Sequence, residues 1–217
     1  MFGESLVVAL ESKGFDADHL LRYDSHAGAG RLHSAILRRM PDVVILNVDL
    51  DPVSSGSSLV EPLSRAGVDV VVVTECGDRV RCGEALSRGA KAVVFAEGTL
   101  DGLLVVLERL RDQLPAIAAA EREDLIEAYV CEGETRRLDR LRLEGLSMRE
   151  NQILRDLMGG RSVVEIAATG VVSEATVRTQ VKTILGKLGV SSQLQAVGMA
   201  HRHQWRSRGQ RTSGLYS

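Results

Sequence analysis

Three short apolar runs, at residues 43–48, 68–73 and 92–95, constrain the first half of this chain more than any other feature. Each is rich in β-branched residues and shows little alternation with polar ones. A strand wetted on one face alternates; a strand covered on both faces reads as a continuous apolar run, as in a parallel sheet. Between the runs the spacing becomes helical. Leu59 and Leu63 share a face, Val80, Ala85 and Leu86 fall on another helix, and Leu100, Leu103, Leu104, Leu107 and Leu110 form a stripe. Strand, helix, strand, helix, strand, helix implies an α/β doubly wound parallel sheet with right-handed crossovers. Upstream, the pattern predicts a helix over residues 6–12 ended by Gly14, a short strand over 19–23 and a helix over 32–40.

Composition narrows the class. With aromatics at 3%, the cores must be built from Val, Leu, Ile and Ala. No apolar run of about 18 residues occurs, so no membrane span is expected. Met1-Phe2-Gly3-Glu4 lacks the basic-then-apolar order of a secretory leader. Cys76, Cys82 and Cys131 fit neither a metal spacing nor a disulfide framework, which points to a reducing cytoplasm. No nucleophile–base pair or carboxylate–metal cluster stands out. Gly28-Ala29-Gly30 lacks the third glycine of a dinucleotide loop. No catalytic residue, cofactor or metal is therefore expected.

The net charge of −2 conceals a division. Residues 1–139 carry 15 Lys+Arg against 24 Asp+Glu, whereas residues 140–217 carry 12 against 5. Only the last part suits a polyanionic partner.

That last part reads as four capped helices. Ser147-Met148-Arg149-Glu150 is a capping box opening a helix with Ile153, Leu154, Leu157 and Met158, stopped by Gly159-Gly160. Ser162-Val163-Val164-Glu165 opens a second, short helix with Val163, Ile166 and Ala167. Gly170-Val171-Val172 makes a turn. Ser173 caps a third helix with Val177, Val181, Ile184, Leu185 and Leu188 inside and Arg178, Thr179 and Lys182 on the opposite face. Gly189 stops it, and Ser191-Ser192 open a fourth with Leu194, Val197 and Ala200. A short helix, a tight turn and a longer helix with a basic face suit the major groove, about 12 Å wide, which admits one helix. Periodicity alone leaves an ordinary helical bundle equally open.

The residues themselves decide further. Leu146-Ser147-Met148-Arg149-Glu150-Asn151-Gln152-Ile153-Leu154, Glu165-Ile166-Ala167, Ser173-Glu174-Ala175-Thr176-Val177-Arg178 and Ile184-Leu185-Gly186-Lys187-Leu188-Gly189-Val190 resemble LuxR/FixJ (NarL-type) DNA-binding domains, almost without gaps from Leu146 to Val197. The resemblance implies a four-helix helix-turn-helix domain that binds double-stranded DNA. It implies that Arg178, Thr179 and Lys182 face base edges or nearby phosphates. Thr176 and Gln180 would contact the DNA backbone, with Lys187 reaching it from the helix end. It also implies dimerisation through the fourth helix, around Leu194, Val197 and His201. Gln180 stands where the family often has His, and Thr169-Gly170-Val171 departs from the family's longer side chain before the turn. His201 and His203, two apart, diverge on a helix and do not make a metal pair.

The first part resembles a response-regulator receiver domain through Pro41-Asp42-Val43-Val44-Ile45-Leu46, Val71-Val72-Val73-Thr74 and Gly89-Ala90-Lys91-Ala92-Val93-Val94. In that family an Asp after the third strand accepts a phosphoryl group and an acidic pair holds Mg²⁺. A Lys after the fifth strand contacts the phosphate, and a Thr or Ser after the fourth responds to it. Here Asn47 occupies the acceptor position and Ala96 the lysine position; only Thr74 keeps its hydroxyl. Val93 replaces the aromatic that often accompanies that hydroxyl. An amide is a poor nucleophile and offers no anionic oxygen to Mg²⁺. Asp49 projects to the same side as Asn47, yet lacks the lysine and the acidic pair, so Asp49 and Asp51 read as solvated loop acids. Residues 1–6 match the start of the family's first helix, so the first strand is missing. Its loss would leave unpaired edges mid-sheet; either the true start lies upstream of Met1, the favoured explanation, or the domain is rearranged, swapped or unstable.

Pro115 is expected to end the Leu-striped helix. Residues 116–129 read as a new helix with Leu125 and Tyr129 on one face and Ile126 and Val130 beside it, interrupted by Gly133. The charged stretch 135–143, with Leu138 and Leu141, is either a solvated connector or a helix that helps two subunits pair. The expected organisation is a pseudo-receiver over 1–112, a linker over 113–143, the helix-turn-helix over 144–205 and a basic flexible tail over 206–217. Arg206, Arg208 and Arg211 in that tail would add nonspecific DNA attraction. Three readings follow. One is a dimeric DNA-binding regulator working without phosphorylation. The second is an orthodox phosphorylated response regulator, and the third is a heterodimer partner of a related regulator. The partners implied are promoter DNA with palindromic half-sites, a second copy or relative, and RNA polymerase; no membrane is implied.

Overall fold

A computed structural model describes residues 2–20, 29–47, 57–75, 77–95 and 100–205. The chain forms two compact units, Met1–Cys131 and Glu132–Ser217.

The first unit orders its elements as α1 (Phe2–Ser12), α2 (Ala29–Leu37), β1 (Val43–Asn47), α3 (Ser57–Arg65), β2 (Asp69–Thr74), α4 (Arg79–Ser87), β3 (Ala92–Phe95) and α5 (Leu100–Arg111). The three strands are parallel, in the order β1-β2-β3. Both faces of the sheet are covered. Val70 and Val72 of β2 pack with Leu59, Val60, Leu63, Ala85 and Leu86 of α3 and α4. Val71 points the other way, to Leu10 of α1 and Leu103, Leu104 and Leu107 of α5. This two-sided burial is why β2 reads as an unbroken apolar run.

Helix α6 (Ala119–Glu144) follows, and the boundary between the units falls within it. Its first half belongs to the first core: Leu125 is buried there and Ile126 packs against it. The Arg122 guanidinium donates to the carbonyls of Leu86 and Ala90, both at 2.9 Å, so it satisfies carbonyls at the end of α4. At Gly83 of α4, an added Cβ would lie 1.9 Å from the Leu125 carbonyl oxygen, so only glycine permits this approach.

Several expectations need correction. Residues 15–20 form no strand, and residues 21–23, where that strand was to continue, lie outside the described residues. Gly133 does not interrupt α6; it sits in open space on the helix. One exposed helical glycine costs only about 1 kcal/mol relative to alanine, and the helix runs on in both directions to buried Leu125 and Leu143. Helix α5 ends at Arg111, before Pro115 is reached. Gln113 takes φ 57°, Gln113 N–H donates to Leu110 and Leu114 N–H to Arg109, a Schellman closure.

The second unit comprises the end of α6 with α7 (Met148–Met158), α8 (Val163–Gly170), α9 (Glu174–Leu188) and α10 (Gln193–Arg202). Leu143, Leu146, Ile153, Leu154, Leu157, Ile166, Val177, Ile184, Leu188 and Met199 make its core. Among the described residues, no helix is long and apolar enough to cross a membrane.

Candidate nucleic-acid interface

Local chemistry sets each helix of the second unit. Ser147 Oγ accepts from Glu150 N–H at 3.3 Å, and Glu150 Oε2 accepts from Ser147 N–H at 2.7 Å. Ser162 and Glu165 repeat this box at 3.3 and 2.7 Å. Ser173 and Ser192 cap α9 and α10 by accepting from Thr176 and Gln195 N–H. Each cap contributes about 1 kcal/mol. Helix α8 closes on Val171 at φ 51°, ψ 44°, a left-handed conformation, and Val172 N–H reaches back to the Ala167 carbonyl at 3.1 Å. That closure makes the tight turn into α9.

Helix α9 has two faces. Val177, Ile184 and Leu188 are fully buried, while Thr176, Arg178, Thr179, Lys182 and Thr183 are exposed. Arg178 is paired with Glu174 one turn earlier, at 2.9 Å. Thr176 Oγ1 lies 2.9 Å from Ser173 Oγ. Thr179 and Thr183 donate their hydroxyls to the carbonyls of Ala175 and Thr179, at 3.0 and 3.1 Å. Gln180 is half-buried, its Oε1 enclosed without a hydrogen-bond partner. A capped helix presenting a continuous exposed face with two cations, carried by a short helix and tight turn, is the geometry of a groove-reading element.

The sequence of this domain matches the family profile of bacterial regulatory proteins, luxR family, over residues 144–200. The C-terminal domain belongs to the luxR family. Over longer spans the chain is 28% identical to the uncharacterized transcriptional regulatory protein YvfU of Bacillus subtilis, covering 82% of each. It is 27% identical to a nitrate/nitrite response regulator protein homolog of Haemophilus influenzae, covering 75% of each. Among solved structures, the response regulator ChrA of a heme-sensing two-component system aligns at 24% identity over 93% of this chain and 91% of that one, with a TM-score of 0.43.

Within the luxR-family domain, Lys187 is exposed in the last turn of α9. Its ammonium lies 2.8 Å from Glu150 Oε2, the carboxylate that also closes the α7 capping box. Burial of Glu150 favours its neutral form. The hydrogen bonds from Lys187 and Ser147, with the charge of Lys187, outweigh that and hold the carboxyl below its ordinary value. Lys187 therefore ties α9 to α7. Sequence reading missed this pair because 37 residues separate the partners and neither stands out by periodicity. It also missed Trp205, whose Nε1 donates to Asn151 Oδ1 at 3.0 Å.

On α10, Leu194, Val197 and His201 fall on one stripe; Leu194 is 81% exposed and His201 is exposed, while Val197 packs partly on the core. His203 turns away toward buried Asp139, at 3.6 Å. Among the described residues, no group of three metal-ligating side chains comes together.

In the first unit, Asn47 ends β1, half-buried and in register with Val73, and Thr74 ends β2, buried and in register with Phe95. They sit on neighbouring strands at the C-terminal edge of the sheet. Ala96, Asp49 and Asp51 lie outside the described residues, as does the tail 206–217.

Proposed function

We propose that this chain is a sequence-specific, DNA-binding transcription regulator that works without aspartyl phosphorylation. The observation that supports DNA binding best is the exposed face of α9. Arg178 and Lys182 project from a helix whose opposite side is locked into the core, so that face is free to enter a groove. Arg178, Thr179 and Lys182 are assigned to base edges and adjacent phosphates; Thr176 and Gln180 are assigned to the DNA backbone, which positions the domain. Lys187 is assigned to the DNA backbone from the end of α9, where its pair with Glu150 also ties α9 to α7.

Independence from phosphorylation rests on Asn47. At the acceptor position Asn47 supplies no carboxylate nucleophile, and Ala96 supplies no ammonium for a phosphoryl group. Thr74 keeps the place of the responding hydroxyl without the chemistry that would drive it. Pairing through Leu194, Val197 and His201 would set two copies of α9 on palindromic half-sites, with RNA polymerase as the downstream partner. The exposed Leu194 favours this homodimer; a heterodimer with a related regulator is the alternative. Sizing the protein and testing whether it alone shifts palindromic DNA separates the two.

Mapping the genomic fragments that the purified chain binds tests the main reading. Arg178→Ala or Lys182→Ala should cost roughly 1–3 kcal/mol of specific binding at fixed salt. Undiminished affinity in both variants would contradict this docking of α9.

A further inference from the structure

We infer that α9 reads thymine through methyl groups: Ala175, Thr179 and Thr183 form an apolar strip suited to the C5-methyl groups lining a major groove. The inference rests on the reading above, that α9 enters that groove. Residues four apart stack in one row along a helix, and all three of these are exposed.

A threonine carries a hydroxyl and a methyl on the same carbon, and the helix itself selects which one faces outward. Thr179 Oγ1 donates to the Ala175 carbonyl at 3.0 Å, and Thr183 Oγ1 donates to the Thr179 carbonyl at 3.1 Å. Both hydroxyl protons are committed to the preceding turn. Neither is available to the acceptors that guanine, adenine and thymine expose in the groove. With each oxygen turned back along the helix, the γ-methyl becomes the outward group, and Ala175 adds a third methyl. One turn on, Gly186 has open space at its Cβ position, so nothing there holds the helix off.

In the major groove only thymine offers a methyl group, and alanine and threonine methyls are its apolar partners. Successive residues of the row are about 6 Å apart along the axis, close to two base-pair steps of about 3.4 Å. Arg178 and Lys182 flank the strip and supply cations for guanine or phosphate. The half-site should therefore carry thymines about two steps apart beside a guanine.

The test selects duplexes from a random pool with the full chain, then remakes the enriched site with deoxyuridine replacing each thymidine in turn. That change removes only the C5-methyl. Binding should fall about fourfold at one or more positions, the value of one buried methyl-sized group. Thr179→Val keeps the methyl and deletes the hydroxyl; Thr179→Ser does the reverse. Thr179→Val should keep the enriched site and its deoxyuridine penalty, and Thr179→Ser should lose that penalty at one position. The Thr183 pair should behave alike at a neighbouring position, with a smaller effect. An enriched site with no deoxyuridine penalty overturns the methyl strip while leaving the regulator reading intact. So does a site that Thr179→Ser preserves and Thr179→Val loses. If the unmodified chain enriches no sequence, the regulator reading and the methyl strip fall together.

Discussion

The edge of the sheet and the face of α9 place functional side chains in opposite ways. At the sheet edge, Asn47 and Thr74 come from different strands and reach the same end of the sheet only because parallel strands end together. On α9, the exposed row comes from one helix of 15 residues whose other side is buried. A site gathered from distant positions is disabled by a single replacement, because each residue has its own role: on the proposed reading, Asn47 alone removes the nucleophile. A helical face degrades gradually, since caps, core and neighbouring cations hold it in place whichever contact is lost. On the proposed reading, the first unit keeps a receiver-like scaffold without the phosphorylation chemistry, and the second keeps its DNA-reading face.

The largest expected effects test whether the two regions are separate folding units. Ile184→Ala in the second core and Leu63→Ala in the first should each cost about 2–5 kcal/mol, as both side chains are fully buried. Trp205 is the chain's one tryptophan and packs on the second core, so its fluorescence reports that unit. Ile184→Ala should lower the Trp205 transition, while Leu63→Ala lowers the sheet's transition and leaves Trp205 in place. If both substitutions shift both signals, α6 joins the units into one cooperative structure and the contrast dissolves.

A smaller effect concerns how α9 is held. Lys187→Met should cost about 1–2 kcal/mol near neutral pH, because it leaves the buried Glu150 carboxylate without its cation. Glu150 titrates below its ordinary value when folded. Its contribution is therefore present above the unfolded value, about 4.3, and is lost as pH falls through the folded one. Chemical denaturation at several pH values should show the gap between native and Lys187→Met closing in acid. A gap that widens there would mean that Lys187 acts by other means.

The smallest effect lies in the turn. Val171 is a β-branched residue in left-handed conformation and 90% exposed. Such a conformation costs an L-residue roughly 1–2 kcal/mol, partly offset by the greater freedom a glycine loses on folding. Val171→Gly should stabilise the second unit by about 0.5–1 kcal/mol, read as a rise of a few degrees in the Trp205 melting midpoint. A lowered midpoint would show that Val171 makes a contact outweighing its strain.

Legibility in the sequence divides along the same line. The strands were legible because burial on both faces leaves β-branched runs with little alternation, and the α7–α10 helices because serine caps and glycine stops punctuate them. The face of α9 was legible because one period places Arg178, Thr179 and Lys182 together. What escaped was long-range or local-geometric: the Lys187–Glu150 tie, the approach of α4 to α6 at Gly83, and the back-turned hydroxyls of Thr179 and Thr183. None of these leaves a spacing signature, since each depends on where separate elements meet or how one side chain turns. Gly133 misled because its cost, about 1 kcal/mol relative to alanine, is small within a helix of 26 residues.

The molecule we propose joins a DNA-binding unit to a receiver-like unit that phosphate does not switch. Incubating the full chain with a small phosphodonor and Mg²⁺, weighing it intact and titrating it against its enriched duplex tests both parts together. The mass should stay unchanged and the affinity should be the same with and without the donor. An added phosphoryl mass accompanied by a change in DNA affinity would contradict it.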